Sequence, residues 1–274
     1  MTPTVPAQPL PVPRVGALLV LLLAALLVGG CGSGPAAPAG PTPSEAIRQA
    51  ATATRDAGSA RVALAARTTV AGRPLDVTGD GVVQFVTGAA DLGVALPSLG
   101  GRVRVVSTGG VVYAMLPPGI GTFLVSGGRP WVSVPLERLG AAGPLAGVGG
   151  GLATDPARQL ALLQAVRDDA RLVGPEPVDA TPTTHYAGTV DLDRAAAADP
   201  ASRPAVEGLK QQAGGPTVPV DVWVDGQGRL RRVALTTGAG GGTTTVTLSD
   251  HGTPVSVAAP PADQVNDLGA LLPG

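Results

Sequence analysis

The chain has 274 residues, 19 basic and 20 acidic, with a formal net charge of −1. That balance leaves no basic field for a nucleic acid, and a single cysteine excludes an internal disulfide. Forty glycines, 28 prolines and only six aromatic residues leave Val, Leu and Ala to build the core.

The first thirty residues have the three parts of an export signal. Met1 to Arg14 is proline-rich, and Arg14 is its only charged side chain. Val15 to Leu27 is an unbroken apolar run, too short for a membrane span of about 20 residues. Small residues at Gly29 and Gly30 give a peptidase access to the backbone. The tetrad Val28-Gly29-Gly30-Cys31 resembles a bacterial lipobox, with Val28 where leucine is commoner. That resemblance implies cleavage between Gly30 and Cys31 and a diacylglycerol thioether on Cys31. An N-acyl chain can follow on the freed amine, since two chains hold a protein where one is marginal. The expected organisation is a signal over 1–30, a lipidated tether over 31–43 and one domain over 44–274. The expected location is the outer face of the cytoplasmic membrane.

Past the Gly/Pro/Ala tether, Ser44 is a helix cap, with a helix over Glu45 to Ala57 that stops at Gly58. Strand patterns follow at Ala60 to Val70, Leu75 to Thr87, Ala90 to Leu96, Arg102 to Ser107 and Val111 to Leu116. Gly79 and Gly81 interrupt the second of these and predict a bulge or a strong twist. Val103 and Val105 share one strand face, opposite Arg102 and Arg104, as in a sheet with one wet side. A loop with Phe123 and Leu124 leads to a short strand at Trp131 to Pro135, and a glycine-rich loop covers 140–151. Thr154 or Asp155 caps a second helix with Pro156 in its first turn and an apolar stripe of Leu160, Leu163 and Val166. Strands are then expected at Ala170 to Val173 and Thr183 to Leu192, and a helical segment over 193–212 broken at Pro200 and Pro204. A hairpin follows over Val218 to Thr236 through Asp225-Gly226-Gln227-Gly228, then a strand at Thr243 to Ser249. The tail from Pro260 reads as irregular. Runs of strands joined by tight turns mean an antiparallel sheet. The predicted fold class is α+β: a strongly curved antiparallel half-barrel sheet wrapped over two or three helices.

Catalytic patterns are scarce. His185 and His251 belong to no metal-spacing motif, and the chain has no G-x-S-x-G, G-x-G-x-x-G or Walker A pattern. Asp191 and Asp193 share a strand face, but capping of the following helix explains them more cheaply than acid–base work. No cofactor, metal or enzymatic activity is expected.

A series of motifs then stands in order: Gly109-Gly110-Val111-Val112-Tyr113, Trp131 to Val134, Asp155-Pro156, Thr183 to Asp191 with its His185-Tyr186 pair, and Val220 to Leu230 with Trp223. With the lipobox and tether before them, they resemble the LppX/LprA/LprF/LprG family of actinobacterial envelope lipoproteins, related in architecture to the LolA/LolB carriers. The resemblance covers most of residues 44–258. It implies a non-catalytic protein whose apolar cavity, between sheet and helices, holds the acyl chains of a lipid or lipoglycan and carries it in the envelope. An envelope transporter as partner and a monomeric state are further expectations. No sharp binding motif transfers. Alternation and loop position nominate Val105, Tyr113, Phe123, Leu124, Leu160 and Leu163 as lipid contacts, with plain core packing as the competing reading for each. The carrier reading predicts a continuous aliphatic cavity large enough for an acyl chain. A filled core would favour a tethered interaction or sensor domain of the same fold. An envelope hydrolase stands last and requires a nucleophile beside His185 or His251.

Overall fold

A computed structural model describes residues 40–70, 73–96, 101–115, 128–136, 156–238 and 242–269. Cys31, Gly30, the tether up to Ala39, Phe123, Leu124, the 140–151 loop and the Thr154/Asp155 cap lie outside them. The compact unit that carries the fold begins at Pro41.

The first helix, α1, spans Pro43–Asp56. Its cap is Thr42 rather than Ser44. Thr42 Oγ1 accepts from the Glu45 backbone N–H, and the Glu45 carboxylate accepts from the Thr42 N–H at 2.7 Å. This Thr-x-x-Glu box satisfies two end donors at once, and Pro43 suits the first turn because its N–H would be unpaired anyway. Ser44 is inside the helix, buried, with its hydroxyl 3.3 Å from Asp168 Oδ1.

Six strands form a first antiparallel meander: β1 (Ser59–Val70), β2 (Arg73–Gln84), β3 (Ala89–Leu96), β4 (Gly101–Thr108), β5 (Val111–Met115) and β6 (Trp131–Pro135). A second meander contains β7 (Arg171–Pro175), β8 (Thr183–Asp191), β9 (Thr217–Asp225), β10 (Leu230–Thr237) and β11 (Gly242–Ser249). The two halves join where β1 pairs with β11. A further strand, β12 (Val265–Asp267), corrects the expectation of an irregular tail. It pairs parallel to β6, so the sheet is mixed. The sheet order is β12-β6-β5-β4-β3-β2-β1-β11-β10-β9-β8-β7. Asn266 fixes the β12 edge by donating to the carbonyls of Arg129 and Trp131.

The helices number four among the described residues. After α1 come α2 (Pro156–Leu162, continued by a 3-10 turn to Ala165), α3 (Leu192–Ala198) and α4 (Arg203–Ala213). The single broken segment expected over 193–212 resolves into the last two, separated at Pro200. Asp191 caps α3 by accepting from the Arg194 N–H at 3.0 Å. Gly214, at φ +72°, ends α4 in the left-handed conformation that glycine adopts without strain. Because the chain passes from β6, which neighbours the β12 edge, to β7 at the opposite edge, α2 lies on the crossover between the two ends of the sheet.

One apolar cluster gathers side chains from β1, β2, β3, β8, β9, β10 and β11 together with all four helices. Seven flat strands would measure roughly 29 Å across. A single cluster reaching all of them needs a sheet curled about its helices, in accord with right-handed strand twist. The outer face is wet and ion-paired: Arg104 makes two bonds to Asp91, and Arg102 reaches Asp80 at 2.5 Å.

Thr54 ties α1 to the second meander. It is fully buried, donates to the Ala50 carbonyl at 2.7 Å and accepts from the Leu230 N–H at 2.8 Å. Replacing Thr54→Val keeps the shape but leaves a buried amide unpaired. The expected cost is about 1–3 kcal/mol, measured as a lower midpoint in urea unfolding with an unchanged slope.

Candidate functional site

Side chains paired across an antiparallel ladder share a face. The inner face can therefore be followed strand by strand. It carries Val62 and Leu64 on β1, Gly79 and Gly81 on β2, and Leu92 and Val94 on β3. It continues through Leu248 and Val246 on β11 on one side and Val103 and Val105 on β4 on the other. These strand positions are all apolar. The helix layer facing them contributes one polar side chain, Gln159 of α2, itself buried.

The two glycines shape this region. No register shift accompanies them in either ladder, so the expected bulge is absent. The twist is what they serve. A Cβ at Gly81 would collide with the Asp91 carbonyl oxygen and stand 2.9 Å from Leu92 Cα. At Gly79 it would lie 3.2 Å from the Gly93 carbonyl. At Gly81 β2 and β3 thus approach more closely than a side chain permits, and at Gly79 the fit is tight, the signature of a bend in the sheet.

Under this bend is a cavity of about 10 Å³, lined by Val62, Leu64, Gly79, Leu92, Val94 and Val246, with Gln159 as its one polar wall. That volume admits about one water molecule, whereas small-molecule sites measure about 300–1,000 Å³. The acyl-chain-sized cavity expected from the sequence is not what these residues form in this conformation. On the helix side Gln159 lines it, and the neighbouring Leu160, Leu162 and Leu163 are buried in the main cluster. Beyond the cavity the same face goes on. Ala66, Val77 and Val103 form a second cluster with Val105 and Ala114 against it, and Val94 belongs to both.

The nominated lipid contacts are therefore distributed. Val105 lies on the inner face in the second cluster, and Leu160 and Leu163 lie in the helix layer. Tyr113 pairs with Val106, one residue out of phase with Val105, which puts it on the other face of the sheet. The residues that line the cavity escape sequence reasoning because alternation gives Val62, Leu64, Leu92 and Val94 no distinction from any core valine or leucine. Gly79 is the available signal, since a glycine on an inner face removes a side chain from the core.

The two histidines stand in different environments. His185 stacks on Trp223 with ring centroids 4.2 Å apart, and its two nitrogens lie 2.9 Å from Glu176 and 2.8 Å from Asp221. Trp223 in turn lies under Arg232. None of these neighbours is a hydroxyl or thiol nucleophile. Burial, followed by the nearby Arg229 and Arg231 charges, lowers the pKa of His251 from its ordinary value. Among the described residues, no cluster of His, Cys, Asp and Glu could hold a metal ion, and no helix is long and apolar enough to cross a membrane.

Residues 42–257 match the LppX_LprAFG lipoprotein family. The chain belongs to that family. A curated relative from Streptomyces griseus, an uncharacterized 31.2 kDa protein of the rplA-rplJ intergenic region, is 30% identical over 160 residues. The match covers 54% of this chain and 51% of that protein, so the chain spans about half the length of the curated relative it matches. In fold the chain is similar to the lipoprotein LppX of Mycobacterium tuberculosis: 21% identity, 80% of this chain and 100% of the other covered, TM-score 0.51. LprF from Mycobacterium bovis is similar at 18% identity, with 80% and 96% covered and a TM-score of 0.45. The open half-barrel over helices is thus the fold of an LppX_LprAFG lipoprotein.

The close approach at Gly81 makes a sharp expectation. Gly81→Ala has to push backbone against backbone and should destabilise the domain by about 1–3 kcal/mol. Gly93→Ala meets only the tip of the flexible Arg102 side chain. Its cost should be smaller, since an exposed ion pair is worth little. Equal losses for the two variants in chemical denaturation would contradict this reading of the bend.

Proposed function

We propose that this chain is a membrane-anchored envelope lipoprotein that takes up the acyl chains of a lipid or lipoglycan between its curled sheet and α2, without catalysis. The observation that carries the reading is the aliphatic cavity beneath α2. It is walled by five valines and leucines of three strands and is short of a side chain at Gly79 on a fourth. Family membership and the lipobox-like Val28 to Cys31 support it, the latter by holding the domain beside a bilayer.

Uptake in this reading needs α2 to lift. Exposing Leu160, Leu162 and Leu163, all buried, costs about 4.5–9 kcal/mol, at roughly 1.5–3 kcal/mol for each buried leucine. An acyl chain returns about 0.8 kcal/mol per buried CH₂. Roughly six to eleven methylenes are needed to break even, before the entropy of association is counted. The site would therefore select long chains and hold short ones poorly. Two side chains resist the lifting: Arg48 donates to the Val166 carbonyl, and Gln164 donates to the Arg48 carbonyl and to the Thr52 hydroxyl.

A second reading is favoured by one specific observation, the present volume of about 10 Å³. A core that stays filled describes a tethered interaction or sensor domain on the same scaffold. Native mass spectrometry of protein purified without its anchor separates the two. The carrier reading expects co-purifying or added long-chain lipid to remain bound, and lipids with chains of about six carbons to be lost. Absence of any bound lipid after incubation with a lipid extract would favour the interaction domain.

A further inference from the structure

The margin of the sheet at β7 is unusual for an edge. Leu172 is 58% exposed and Val173 47% exposed, side by side on a five-residue strand. Such a pair on an edge invites strand addition by another chain. The backbone argues against that use. The ladder with β8 shifts register between Leu172 and Gly174, Gly174 has φ +141°, and Pro175 ends the strand without an N–H. A bulge and a terminal proline are devices that prevent edge pairing. The apolar side chains are left available while the hydrogen-bonding edge is spoiled. A surface that needs apolar contact and no backbone ladder suits a lipid interface better than a peptide.

The covalent path of the tether points to the same occupant. The start of α1 is fastened to the segment that leads into β7. Ser44 lies 3.3 Å from Asp168, and Arg48 Nη1 donates to the Val166 carbonyl at 3.0 Å. Asp168 precedes Arg171 by three residues, at most about 11 Å of chain. From Cys31 to Pro43 is 12 residues, at most roughly 40 Å fully extended. If Cys31 carries lipid, the β7 margin is the apolar surface beside the point where the tether enters the domain. Arg171 opens the strand, exposed and in no ion pair among the described residues, as a cation for an anionic headgroup.

We propose that Arg171, Leu172 and Val173 on the β7 edge form the surface by which the tethered domain docks on an anionic bilayer. This rests on the anchored-lipoprotein reading above and adds an orientation to it. Docked this way, the domain lies with the N-terminal end of α1 toward lipid. The opposite end of α1, about 21 Å away along the helix, adjoins the β2–β3 turn through the Phe85 N–H bond to the Gly58 carbonyl. Val86 in that turn is 78% exposed and should stay in water.

The full lipidated chain can test this, because Cys31 is its only cysteine and its thiol is occupied by lipid in the anchored form. Val173→Cys and Val86→Cys are each labelled with an environment-sensitive fluorophore and reconstituted on phosphatidylcholine vesicles with and without phosphatidylglycerol. The expected result is a blue shift at position 173, strongest with phosphatidylglycerol, and loss of its emission to nitroxide-labelled lipid. Position 86 should show neither, and Leu172→Asp in the labelled Val173→Cys protein should abolish the shift. Vesicle flotation, with Cys31→Ala as the unanchored control, reads the anchor separately. Flotation with a water-exposed label at 173 would overturn the docking surface and leave the anchor standing. Failure of the lipidated preparation to float would overturn both. A shift present before vesicles are added, and tracking dimer formation in sedimentation, would overturn the proposal in favour of a second copy of the chain.

Discussion

At Gly81 the backbone of β2 lies so close to β3 that a side chain has no room, and at Gly79 the fit is tight, so the sheet is free to bend along these two positions. A sheet bent there presents its inner valines and leucines as a trough rather than a plane. A trough needs a filling, and the crossover from β6 to the β7 edge supplies it in α2. Thr54 holds α1 against the second meander, and Arg48 holds it to the segment just after α2. The same curl puts the charged ladder of Arg102, Asp80, Arg104 and Asp91 outside, where Gly93 leaves space for Arg102 to lie across the sheet.

Small aliphatic side chains make this arrangement adjustable. Aromatics would lock a core through a few large contacts. Here the inner wall is built of many small ones, and the helix that covers it is about two turns long. In the proposed cycle the filled state and the lipid-bound state differ by which apolar groups occupy the trough, leucines of α2 or methylenes of a ligand. In the lipid-bound state the leucines of α2 are exposed and ligand methylenes are buried in their place, so the exchange trades one apolar burial for another rather than opening an empty hole.

Much of this was legible in the sequence, for reasons that differ from residue to residue. Alternation at Arg102-Val103-Arg104-Val105 gave the wet and dry faces of β4 because charge and apolarity differ sharply there. The hairpin at Asp225 to Gly228 was legible because its turn chemistry is strong, with Asp225 accepting from the N–H groups of Gln227 and Arg229. The α1 cap was misplaced by two residues because Thr42 and Ser44 are equivalent as isolated residues. Only the reach of Glu45 back to Thr42 distinguishes them. β12 carries no alternation, since Asn266 and Asp267 are polar, and it exists through pairing with β6. The face of Tyr113 depended on phase within Val111-Val112-Tyr113, where two adjacent valines give no parity. The cavity was the least legible feature. Its walls are ordinary core residues, and its volume is set by how far α2 settles onto them.

Acyl-chain entry into the trough beneath α2 can be tested directly. A long-chain lipid bearing a photoreactive diazirine near its terminal methyl is cross-linked to the protein, and the adducts are mapped by peptide mass spectrometry. A trough that receives acyl chains yields adducts on the peptides holding Leu64, Leu92, Val94 and Gln159, and none on the outer-face residues of the same sheet, Arg102 and Arg104 among them. Adducts confined to the outer face or the sheet edges, with the trough unlabelled, would contradict it.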